Sequence, residues 1–136
     1  MASAGYSGTP LLKKLGLKEE QRVWLLDKPA DYFRWLEADI TDQVAGPKEV
    51  PDWVHLFAST RAVFEKSMKS LAPVWRKNPQ LVIWVSWYKK SSGVATDLTE
   101  DVIRDYALKN GLVDVKVCAV SETWSGLKLV VPLNKR

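Results

Sequence analysis

Seven consecutive residues, Leu81-Val82-Ile83-Trp84-Val85-Ser86-Trp87, contain a single polar side chain, and this run restricts the fold more than any other part of the chain. A strand with one wet face alternates apolar and polar residues. A strand apolar at every position needs cover on both faces, as inside a parallel α/β sheet. Arg22 to Asp27, with Val23-Trp24-Leu25-Leu26 at its centre, and Trp53-Val54-His55-Leu56-Phe57-Ala58 read the same way.

Helical signals separate these strands. Thr9, Pro10 and Gly16 bracket a short first helix with Leu11, Leu12 and Leu15 on its apolar side. A second helix is expected over Pro29 to Ala38, with Tyr32, Phe33, Trp35 and Leu36 turned inward, and residues 39–51 read as polar, with room for one short strand at most. Beyond Ser59 or Thr60 as a cap, Phe64, Met68, Leu71 and Trp75 fall on one helical face, and Pro73 is expected to kink or end that helix. Asn78-Pro79 turns the chain into the apolar run.

After that run comes Lys89-Lys90-Ser91-Ser92-Gly93, then a helix with Thr99 as cap, Glu100 and Asp101 in its first turn and Val102, Ile103, Tyr106 and Ala107 on its buried side. Asn110-Gly111 closes it. Val113 to Val120 and Leu127 to Val131 are expected as antiparallel neighbours across a turn at Glu122 to Gly126. The fold class is therefore α/β: one domain over residues 1–136, with an open, mostly parallel sheet of about five strands, right-handed crossovers, helices on both faces and an antiparallel C-terminal strand.

Composition narrows the chemistry. Cys118 is the only cysteine and His55 the only histidine, so an internal disulfide and a structural zinc site of clustered Cys and His are both excluded. No apolar run approaches the roughly 20 residues of a membrane span, and the first residues lack the basic start and apolar stretch of a secretory signal, so a cytoplasmic location is expected. The net charge of +4 sits late in the chain: residues 1–50 carry 7 Lys+Arg against 8 Asp+Glu, and residues 51–136 carry 13 against 8. These charges are spread over helices and turns without a dense run, so nucleic acid is not an expected partner.

The candidate site is the loop after the apolar run. Lys89, Lys90, Ser91, Ser92, Gly93 and Thr96 gather two ammonium groups, small donors and a helix start at the carboxyl end of a parallel strand, where open α/β sheets place their ligands. The spacing is not that of a P-loop. Trp124, in Trp124-Ser125-Gly126, is either a plug over the sheet end or a stacking platform; beside Lys89 and Lys90 it would let a ring and a phosphate be gripped together. Ser86 lacks the surroundings of a nucleophile elbow, and a partly buried His55 bonded to a backbone group is the expected state of the one imidazole.

The order of elements is similar to the last part of the Rossmann-like fold of class I methyltransferases. That likeness implies strands side by side in the order first, second, third, last, fourth. It also implies a glycine-rich turn after the first strand, but Asp27-Lys28-Pro29-Ala30-Asp31-Tyr32 contains no glycine. The crevice there is expected to be filled by side chains, and no cofactor is expected. Gly5-Tyr6-Ser7-Gly8-Thr9-Pro10-Leu11, Trp53 to Phe57, Trp84-Val85-Ser86 with Lys89 to Gly93, Asp97 to Asp101 and Glu122 to Leu127 resemble a small bacterial family catalogued as domain of unknown function 3052. The resemblance implies a compact α/β protein and carries no activity. The expected function is a non-catalytic module binding an anionic small molecule or a protein partner; the alternative is an enzyme on a degenerate S-adenosylmethionine-dependent scaffold.

Overall fold

The computed structural model describes residues 10–136, so Thr9 and the start of the Gly5 to Leu11 stretch lie outside it. Five strands, β1 (Val23–Leu26), β2 (Trp53–Phe57), β3 (Val82–Tyr88), β4 (Val113–Ala119) and β5 (Trp124–Val130), form one sheet in the order β1-β2-β3-β5-β4. β1, β2 and β3 are parallel and β5 runs against both its neighbours. The sheet is mixed and mostly parallel, with one antiparallel strand, in the order that the methyltransferase likeness implies.

Alternation along the parallel strands divides the core into two layers. Val54, Leu56, Ile83 and Val85 face α3 (Arg61–Lys77) and α4 (Glu100–Lys109), whereas Trp53, Phe57 and Trp84 face α1 (Leu11–Leu15) and α2 (Tyr32–Leu36). Thr60 and Thr99 cap the two longer helices, each hydroxyl oxygen accepting from the N–H three residues on, at 3.2 Å and 3.3 Å. Each cap stabilises by about 1 kcal/mol. The end of α1 is fixed differently, because the Leu15 carbonyl accepts the indole N–H of both Trp53 (3.3 Å) and Trp84 (2.9 Å).

Three boundaries differ from the sequence reading. α2 covers five residues, not ten, because Glu37 takes a left-handed conformation (φ 56°) and ends it. Pro73 does not end α3: both Pro73 and Lys69, whose carbonyl loses its partner, are exposed, so water can satisfy the freed oxygen. β5 begins at Trp124, three residues early, because Ser121 Oγ accepts from Thr123 N–H (3.1 Å) and Trp124 N–H (3.0 Å) and closes the turn before it. Gly126 lies inside that strand. A Cβ there would come within 3.0 Å of Val120 Cγ2 and 3.2 Å of Trp84 Cε3.

The polar stretch after α2 yields one parallel bridge, Val23 to Val44, on the outer edge of β1. From β1 the chain thus moves outward over the α2 face; from β2 it moves inward over the α3 face. Reversing both direction and face keeps one crossover hand. It also places the switch point of the sheet between β1 and β2.

Candidate functional site

The carboxyl ends of β1, β2 and β3 open on one rim, which holds two adjoining hollows. One, of about 900 Å³, is bordered by Lys89, Lys90, Ser91, Gly93 and Thr96. The other, of about 620 Å³, lies at the switch point and is bordered by Asp27, Pro29, Phe57, Ser59 and Trp124. Tyr88 and Val94 line both.

Hydrogen bonds within the Lys89 loop fix its shape. Lys89 N–H donates to the Thr123 carbonyl (2.9 Å), tying the loop to the start of β5. Lys90–Ser92 is a single tight turn closed by Gly93, whose φ of 77° favours a residue without Cβ. Ser92 Oγ donates to the Lys89 carbonyl at 2.6 Å and accepts from Val94 N–H at 3.2 Å, while Thr96 Oγ1 donates to the Ser59 carbonyl at 2.8 Å. Both hydroxyls already hold the loop together. The start of α4 is partly occupied: Thr99 Oγ1 takes the Val102 amide, and Glu100 and Asp101 are ion-paired to Arg104. Lys89 and Lys90 form no ion pair among the described residues, and neither does Lys28 after β1, so the rim carries unpaired positive charge.

Trp124 faces the second hollow and not the first. Its ring stacks on Tyr88 (centroids 4.2 Å apart) and meets Phe57 edge-on (5.1 Å), leaving it 8% exposed. It is an aromatic wall. Since Tyr88 and Trp124 are paired across β3 and β5 and Lys89 follows directly, the ring system and the two lysines adjoin.

The turn after β1 departs from expectation. Asp27 adopts φ 57°, the left-handed conformation for which the sequence offers no glycine. Aspartate visits this region more readily than other residues with a Cβ, so the sharp turn forms and leaves a hollow beside Pro29. The crevice is only partly filled by side chains. The signal overlooked in the sequence is that tolerance.

Sequence reasoning also missed the bonding of His55. Its Nδ1 lies 2.7 Å from Tyr32 Oη and its Nε2 lies 2.7 Å from Ser86 Oγ, so the imidazole bonds two side chains and no backbone group. All three residues are fully buried. Burial pushes His55 down to about 3 and the Tyr32 phenol well above its ordinary value. A neutral imidazole offers one N–H and one lone pair, which suits a hydroxyl on each side. Neither rim hollow reaches the relay. Among the described residues no His, Cys, Asp and Glu cluster could hold a metal ion, and no helix is long and apolar enough to cross a membrane.

Strand order, crossovers and switch point define a Rossmann-like α/β fold. An uncharacterised protein of Listeria monocytogenes serotype 4b shares this fold, with a TM-score of 0.57 at 8% identity over 92% of this chain and 68% of that one. A Streptococcus agalactiae protein described as in the NADB-Rossmann superfamily superposes with a TM-score of 0.49, at 8% identity over 93% of this chain and 70% of the other. No protein-family model matches the sequence, and no curated protein matches it.

Proposed function

We propose that this chain is a non-catalytic binding module for a small anionic molecule bearing a planar ring, seated across the two rim hollows. The observation that carries this reading is their junction at Tyr88, with Lys89 and Lys90 on one side and the Tyr88–Trp124 stack on the other. Ammonium groups attract the anion; the apolar walls, Phe57 and Trp124, receive the ring. Asp27, at the far end, supplies a carboxylate acceptor for ring or sugar donors. The Ser86–His55–Tyr32 relay has no part in this reading, being buried.

A second reading, an enzyme on a degenerate methyltransferase-like scaffold, is favoured by the left-handed Asp27 turn at the switch point. Membership of the family catalogued as domain of unknown function 3052, and a cytoplasmic location, belong to the same proposal and add no activity. A thermal-shift panel with inorganic phosphate, adenosine diphosphate and S-adenosylmethionine separates the readings. The binding module predicts stabilisation by the first two, more by the nucleotide. Stabilisation by S-adenosylmethionine alone favours the enzyme.

A further inference from the structure

Three lysines stand on the α1 and α2 face of the sheet, two of them on β5 and β4 and one on α1. Lys128, on the inner strand β5, is paired in register with Trp84 on one side and Lys116 on the other. Lys116 Nζ lies 5.9 Å from the centre of the Trp84 ring. Lys14 comes from α1, one residue before the Leu15 carbonyl that holds the Trp84 indole.

Like charges directly opposite each other across two strands destabilise a sheet. A lysine on an edge strand has a reason of its own, since it prevents pairing with another chain, and Lys116 on β4 satisfies it. That reason does not extend to Lys128, which is not on an edge, or to Lys14, which is on a helix. None of the three forms an ion pair among the described residues. Lys128 is half-buried, and burial and then Lys116 both lower its proton affinity. Lys14, Lys116 and, to a lesser degree, Lys89 act electrostatically on Cys118, which pairs with Gly126 in the same part of the sheet.

We propose that Lys14, Lys116 and Lys128 form a second anion site, separate from the rim, that takes a phosphoryl group. A tetrahedral dianion offers oxygens to three ammonium groups from three elements and relieves the repulsion between the cross-strand pair. The group arrives either on a soluble molecule or on a lipid headgroup.

The test is a titration of the full chain with inorganic phosphate followed by amide NMR, with sodium chloride at matched ionic strength as control. Shifts at Lys116, Cys118, Gly126 and Lys128 are expected. In Lys116→Gln plus Lys128→Gln the affinity read from them weakens by about tenfold or more. Lys90→Ala, on the rim loop, leaves them unchanged, which separates this site from the rim. Sedimentation with phosphatidic acid vesicles identifies the source: phosphate shifts without vesicle binding assign a soluble ligand, and both together assign a headgroup as well. Equal shifts with chloride, or shifts unaltered by the glutamine pair, overturn the site. So does the absence of any response to phosphate.

Discussion

His55 Nε2 and Ser86 Oγ face each other at 2.7 Å across β2 and β3, with both side chains fully buried. In a cleft, that geometry would pair a base with a nucleophile. Without access for a substrate, it is a structural bond inside one layer of the core.

Acid should expose this role. His55 sits near 3 in the folded chain against 6.5 unfolded, so below 6.5 the unfolded state binds a proton that the folded state refuses. The stability from this group is complete above pH 6.5 and is lost as pH falls toward 3, at about 1.4 kcal/mol per pH unit. Urea denaturation at pH 7 and pH 5 measures it. Equal stability at both would place the imidazole in contact with water.

Ser86→Ala leaves one imidazole nitrogen without its partner and should cost about 1–3 kcal/mol. Ligand binding at the rim, read by the same thermal-shift panel, should survive. Lost binding with unchanged stability would make Ser86 a site residue.

The parallel core was legible because the Leu81 to Trp87 run, Val23 to Leu26 and Trp53 to Ala58 leave no wet face. Helix starts were legible where a threonine precedes an apolar face, as Thr60 and Thr99 do. What failed depended on contacts distant in sequence. Trp124 looked like a turn residue because Gly126 follows it, yet that glycine serves the packing of Trp84. The partners of His55 come from α2 and β3, and alternation fixes a face without naming a neighbour. At the site, the Lys89 loop could be read from its charges, whereas the switch-point hollow depends on one dihedral angle at Asp27.

Gly126→Ala drives a methyl group to 3.0 Å from Val120 and 3.2 Å from Trp84. Since Trp84 is held by the Leu15 carbonyl, little relief is available, and a loss of about 1–3 kcal/mol is expected. Denaturant midpoints test this, and a neutral substitution would mean that the Trp84 layer yields.

Asp27→Gly keeps the left-handed turn without a Cβ and should be neutral or stabilising by up to about 1 kcal/mol; Asp27→Val should destabilise by about 1–2 kcal/mol. Thermal midpoints of the two variants give the order. The reverse order would show that the carboxylate, not the backbone, matters to the fold.

The most direct test of the rim as a ligand site is the adenosine diphosphate-induced shift in melting temperature, compared between the natural chain and Lys89→Ala plus Lys90→Ala. At a ligand concentration ten times the dissociation constant, a rise of about 3–6 °C is expected for the natural chain. The double variant should lose most of it. An undiminished rise in that variant, or none in the natural chain at millimolar nucleotide, would contradict the account.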